Sequence, residues 1–154
     1  MLKTLARDRD KTEILRRLAA LRPDSRRRWG RMTAHQMVCH LSDGYRILTG
    51  QRDSPLAASP LPRPLMKGVA LYVPLRWPRA LPTTADLNQE IGGSRPRRFD
   101  DDLADLVALV DRITGEPRLA LADRLHPIFG TMSAGSWLRW AYLHADHHLR
   151  QFGL

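Results

Sequence analysis

Between residues 51 and 98 the chain carries most of its eleven prolines, and on both sides of that stretch apolar residues recur with a helical period. Two such segments precede the break and two follow it. The first runs from about Leu5 to Leu21, with Leu15, Leu18 and Leu21 on one stripe, and stops before Arg22-Pro23. The second starts at Met32-Thr33-Ala34-His35-Gln36, where Thr33 and Gln36 have the spacing of a capping box, and it ends at Gly50. The third runs from about Asp100 to Thr114, its acidic first turn complementing the helix dipole and Gly115 ending it. The fourth runs from Ala134 to Phe152 behind Ser133 as cap. Short loops join antiparallel neighbours, whereas a connection as long as 51–98 lets the chain cross the bundle. The pattern predicts an all-α four-helix bundle with up-down-down-up topology and a long crossover between helices 2 and 3. A short amphipathic helix is expected within the crossover, around Leu65 to Val73, and strand signals are weak throughout.

At 154 residues, 43% hydrophobic and 27% charged, the chain is read as one domain, 1–154. Met1 to Asp10 is charged, so no signal peptide is expected. Leu65 to Trp77 is broken by Lys67, Pro74 and Arg76 and is too short to span a bilayer. With a single cysteine, Cys39, a disulfide framework is excluded and a cytoplasmic location is expected, with no membrane partner. The net charge of +9 is almost entirely arginine. Its runs, Arg26-Arg27-Arg28 with Arg31 and Arg95, Arg97, Arg98, lack interleaved aromatic residues, which argues against a nucleic-acid partner. They read as a solvated surface or as a rim that attracts an acidic small molecule.

Three of the six histidines fall in the run His144-Ala145-Asp146-His147-His148-Leu149-Arg150-Gln151. On a helical wheel with His144 at zero, Trp137 lies at about 20°, His148 at 40°, Ala141 at 60° and Phe152 at 80°. His144 and His148 therefore stack in the middle of the buried stripe, each imidazole needing a partner there. His147 falls at the margin, where it either supports its neighbours or is exposed, and Arg139, Asp146 and Arg150 take the far side. The second helix places His40 at the margin of its apolar face, one turn before Gly44. A glycine inside a helix costs about 1 kcal/mol against alanine, so close approach of a ligand or helix is expected there. His35 projects to the polar side near Ser42 and Arg46. His40, His144 and His148 are the candidate metal ligands; three imidazoles leave an open coordination position, as catalytic sites do. Asp43 and Gln151, with His147, are candidates to orient those ligands or a bound water. Nothing in the spacing assigns a role to His126.

Thr33-Ala34-His35-Gln36-Met37-Val38-Cys39-His40-Leu41-Ser42-Asp43, with its His-Leu-x-Asp run, resembles the second-helix signature of DinB/YfiT-like four-helix bundles. His144-x-x-His147-His148-x-x-Gln151 resembles the fourth-helix signature of the same superfamily, and His126 to Gly153 is most similar to an uncharacterised branch of it. The resemblance implies the same topology, and a divalent metal, zinc or nickel, on His40, His144 and His148. It also implies homodimerisation. Relatives include thiol-dependent enzymes, namely bacillithiol and mycothiol transferases, a mycothiol-dependent maleylpyruvate isomerase and a glutathione-dependent counterpart. A low-molecular-weight thiol is thus implied as a co-substrate, with the Arg26–Arg31 cluster as a place for its carboxylates. The functional expectation is a metal-dependent transferase or hydrolase acting on a small molecule. The alternative is a non-catalytic metal-binding or interaction bundle.

Overall fold

The helix ends follow their local chemistry. In the computed structural model, which describes residues 2–59, 61–79, 81, 83–121 and 124–154, the first helix, α1, is Asp8–Ala20. It starts one turn later than the apolar period suggests, with Asp8 and Asp10 in its first turn facing the dipole. Leu5 is buried all the same, because its amide donates to the Leu138 carbonyl at 3.1 Å and ties the preceding turn to the last helix. The second helix, α2, is Ala34–Thr49, and both halves of the Thr33–Gln36 capping box are formed. Gly50 closes it in the left-handed conformation, φ 72°, where a side chain would be strained. Within the long connection, α3 (Arg63–Tyr72) begins behind Pro62 and carries Pro64 in its first turn, where a missing amide hydrogen costs no bond. A 3-10 turn follows at Ala85–Leu87. The remaining elements are α4 (Phe99–Gly115), α5 (Arg118–Leu121), β1 (Arg124–His126), β2 (Gly130–Met132) and α6 (Ala134–Gln151), the last capped by Ser133.

The chain is mostly helical, but the all-α expectation needs correcting for one small antiparallel sheet, with Arg124 opposite Met132 and His126 opposite Gly130. Strands of three residues are too short to show an alternating pattern. Their turn is closed by a side chain: His126 Nδ1 accepts from the amides of Ile128 and Phe129 at 3.1 and 3.2 Å.

The long helices pack around a core that includes Ile14, Leu18, Met37, Leu41, Tyr45, Leu48, Leu106, Ile113 and Trp137, all essentially inaccessible to solvent. Between α1 and α6 the partners ascend together: Leu5, Glu13 and Arg17 meet Leu138, Tyr142 and Asp146. Between α2 and α6 the order reverses, with His40 against His148 and His144, and Gly44 beside Trp140. Between α2 and α4, His35 meets Asp102 and Arg46 meets Asp105. No helix among the described residues is long and apolar enough to cross a membrane.

The long connection is fastened to α2 most densely at Asp43. Asp43 is fully buried, and its carboxylate accepts from the Ser94 amide at 2.7 Å, Ser94 Oγ at 2.5 Å and Gln89 Nε2 at 3.0 Å. Arg52 and Arg46 complete the set at 3.1 and 3.3 Å, and Arg52 also donates to the carbonyls of Asp86 and Gly92. A buried carboxylate with this many donors is costly to disturb, because removing it strands the cation and the amides it satisfies. Asp43→Ala is expected to lower stability in urea unfolding by about 3 kcal/mol, whereas a loss below about 1 kcal/mol would show that the connection holds without it.

A second ion-pair cluster joins α2 to α4. Burial pushes the Asp102 carboxyl up, but hydrogen bonds from the Arg97 amide, His35 and the Arg97 guanidinium outweigh it and hold its pKa at about 2. A carboxyl depressed in the folded state contributes stability above its ordinary pKa, and that stability is lost as pH falls toward the folded value. Asp102→Asn should therefore flatten the loss of melting temperature between pH 4 and pH 2 seen for the parent protein; an unchanged acid limb would contradict the assignment.

Candidate metal centre

α2 and α6 cross so that three imidazoles converge. The candidate ligand atoms of His40, His144 and His148 all lie within 4.8 Å of one another, and the three residues are buried, at 4%, 8% and 8% exposure. Ring centroids are 4.8 to 4.9 Å apart around the triangle. The two stacked histidines of α6 come from the i, i+4 spacing, and Gly44 supplies the closeness between helices. A Cβ at residue 44 would lie 3.0 Å from Trp140 Cη2, 3.3 Å from His144 Cε1 and 3.4 Å from His144 Nδ1. The helix-weakening glycine thus lets α2 approach the ring that must face His40.

The outward nitrogens are held from behind. His40 Nδ1–H donates to the Leu87 carbonyl at 2.9 Å, in the 3-10 turn that Asp43 and Arg52 fasten. His148 Nδ1–H donates to Gln151 Oε1 at 3.0 Å, and Gln151 Nε2 donates to the Trp29 carbonyl at 2.8 Å, which fixes the orientation of the amide. In both rings the proton is therefore on Nδ1, and Nε2 presents a lone pair to the centre. His144 Nε2 lies 3.0 Å from His40 Nε2, while its Nδ1 is buried with no hydrogen-bond partner. Burial pushes all three imidazoles below their ordinary pKa, and for His144 the neighbouring histidines add to the effect. Neutral rings with inward lone pairs are the form that ligates a divalent cation, so this donor set fits one.

The other sequence candidates fall in different places. Gln151 accepts from His148 Nδ1. Asp43 makes no hydrogen bond to His40 and acts one step away, by fastening the turn that carries Leu87. His147 is buried, because Trp29 and Trp77 from the flanking loops cover the margin of α6 at ring distances of 6.2 and 5.9 Å. Burial, then Arg150, push its pKa down to about 4, and its ring packs edge-on against His148. Arg139 is likewise buried, donating to the carbonyls of Leu71 and Lys3, because α3 and the N-terminal segment cover a side that the wheel leaves open. His126 closes its own turn and borders a void of about 10 Å³, room for one water, with Gly44, Leu87 and Trp140.

His35, on the polar side of α2 by its spacing, joins Cys39 and Asp102 in a second group of close donors. That group is an ion pair: His35 Nε2 meets Asp102 Oδ2 at 2.7 Å, and Arg97 takes Oδ1 at 2.7 Å. The arginine already supplies the cation, and burial pushes the Cys39 thiol up to about 12, leaving it protonated. The i, i+4 spacing of His35 and Cys39 was its only trace in the sequence.

An open concavity of about 440 Å³ is lined by Pro23, Asp24, Ser25, Arg26, Arg27, Thr33 and Ala34, and it includes none of the three histidines. The same arginine-rich loop nevertheless wraps the end of α6. Gly30, at φ 77°, backs onto the Gln151 amide, where a Cβ would sit 2.3 Å from Nε2. The chain matches no family model, no curated protein and no solved structure. What the site does follows from its own geometry.

Gly44→Ala provides a local check. The added methyl presses on His144, so divalent-metal affinity measured by competition with a chelator should fall about tenfold while the fold is retained. Affinity equal to the parent's would mean that the α2–α6 approach does not shape the centre.

Proposed function

We propose that His40, His144 and His148 hold a divalent cation, zinc or nickel, in a DinB-like four-helix bundle, and that the protein is a metal-dependent enzyme acting on a small molecule. The observation that carries this reading is the set of three buried neutral imidazoles, two of them with their tautomer set so that Nε2 points inward. The order of the contacts supports the bundle: α1 runs alongside α6, α2 against α6 and α4 alongside α2, which is compatible with an up-down-down-up arrangement with 51–98 as the crossover. A cation on three imidazoles keeps a coordination position for a thiol or a water and lowers the pKa of whichever binds, supplying a nucleophile at neutral pH for group transfer or hydrolysis.

The chain's own residues have separate tasks in this reading. The Leu87 carbonyl and the Gln151 amide hold the His40 and His148 rings and raise their basicity as ligands. Trp140, tilted over His144 with 4.7 Å between centroids, and Trp77, 6.4 Å away on another side, keep bulk water from the centre. Asp43 keeps the Leu87 turn in place. A low-molecular-weight thiol is the co-substrate that this reading favours, in keeping with the motif resemblance.

One observation favours a second reading. The three histidines are almost wholly covered, and the void beside Gly44 and Trp140 has room for no more than one water, which suits a non-catalytic metal-binding bundle. Metal analysis and turnover separate the two. The protein as purified should carry about one equivalent of zinc or nickel, lost in His40→Ala and His144→Ala, and its melting temperature should fall on chelation. Metal-dependent turnover of electrophiles with a panel of low-molecular-weight thiols, or of hydrolysable esters and amides without one, then supports the enzyme. Bound metal without any turnover leaves the second reading standing, and a metal-free protein indifferent to chelators overturns both.

A further inference from the structure

The eleven large hydrophobic residues that stand exposed among the described residues are not scattered. Eight of them, from Leu56 to Leu81, lie on α3 and its flanking segments. On α3 the exposed residues Leu65, Val69 and Tyr72 follow the i, i+4, i+7 spacing of one stripe, at 55%, 52% and 46% exposure. Leu75, just beyond the helix, is 73% exposed and extends the patch. The stripe is not a core face waiting to fold inward. The opposite side of α3 already packs through fully buried Leu71, with Met66 and Ala70 against the core. Polar ties hold it there: Lys67 Nζ donates to the Thr131 carbonyl at 3.1 Å, and the Tyr72 hydroxyl meets Ser136 Oγ at 2.8 Å. An exposed apolar stripe on a helix whose other side is already packed is the kind of surface that marks an interaction site.

The charge around the patch says what would cover it. From Ser54 to Ala85 the sequence has no aspartate or glutamate, while it has Arg63, Lys67, Arg76 and Arg79. Arg76 and Arg79 follow Leu75 in the sequence and are exposed, the Arg79 guanidinium lying 4.9 Å from the Trp29 ring centroid, and the Arg139 guanidinium lies 5.9 Å from the Tyr72 ring centroid. A second copy of this chain would bring the same basic, acid-free surface and a net charge of +9 against it. An anionic lipid surface instead offers negative headgroups to the arginines and an acyl boundary to the leucines, and it needs no shape complementarity from a proline-rich segment. α3 spans about 15 Å, too short to cross a bilayer but suited to lie along one.

We propose that the face formed by α3 and residues 73–79 docks on anionic membrane surfaces, with Leu65, Val69 and Leu75 entering the headgroup–acyl boundary and Arg76 and Arg79 meeting the lipid charge. The proposal is independent of the metal centre. It is tested with the full chain and sedimented vesicles of phosphatidylcholine, with and without phosphatidylglycerol. The expected result is partition onto the anionic vesicles only, weakened by salt and reduced roughly tenfold or more in Leu65→Gln/Val69→Gln/Leu75→Gln. Circular dichroism checks that this variant folds; Leu75→Gln alone, at the most exposed position and outside any helix, serves if it does not. No partition onto anionic vesicles at low salt overturns the proposal. So does partition equal to the parent's in the variants, which would leave only diffuse charge attraction. Absence of vesicle binding together with a dimer that the same substitutions dissolve would assign the face to a second copy instead.

Discussion

The buried Asp43 carboxylate is the interaction on which the rest of the arrangement depends. It converts a long, proline-rich connection into a fixed part of α2 by satisfying the Ser94 amide and hydroxyl, the Gln89 amide and two guanidinium groups at once. Arg52 passes the constraint on to the carbonyls of Asp86 and Gly92. The turn between them then holds Leu87 where its carbonyl accepts from His40. One charge, fully desolvated and fully partnered, thus decides the tautomer of a ring on the same helix without touching it.

On α6 the corresponding control comes from the other end of the chain. Gln151 is one turn beyond His148 and takes its orientation from the Trp29 carbonyl, while Gly30 leaves the space that this contact needs. The centre is therefore assembled by two loops as much as by two helices. The helices deliver three imidazoles to one place; the loops determine which nitrogen of two of them faces inward. Burial does the rest by keeping the rings neutral, so their lone pairs are free at ordinary pH.

Much of this was legible in the sequence because it rests on local periodicity. The i, i+4 pair His144 and His148, the capping box at Thr33–Gln36, the Gly50 stop and the Ser133 cap are all written within one or two turns. Gly44 was legible as an anomaly, and the structure supplies its reason in Trp140 and His144. What could not be read depends on partners distant in sequence. On an isolated wheel His147 lies at the margin of the buried stripe and Arg139 on the far side, and only the loops carrying Trp29 and Trp77, together with α3 and the N-terminal segment, bury them. Asp43, expected to orient a ligand, acts through a turn that no periodicity announces. The hairpin at Arg124–Met132 was missed because three-residue strands closed by a histidine side chain carry no repeating pattern. His35 seemed solvent-facing because its partner, Asp102, comes from the far side of the crossover.

The central claim is that three histidines, and no sulfur or carboxylate ligand from the nearby Cys39–Asp102 cluster, form a divalent metal site. X-ray absorption at the metal edge of the zinc- or nickel-loaded protein addresses it directly. Three-histidine ligation gives a nearest-neighbour shell of nitrogen and oxygen with the multiple-scattering signature of about three imidazoles at metal–nitrogen distances of about 2.0–2.1 Å, and no sulfur. A sulfur scatterer at about 2.3 Å, or a shell without imidazole, would contradict it.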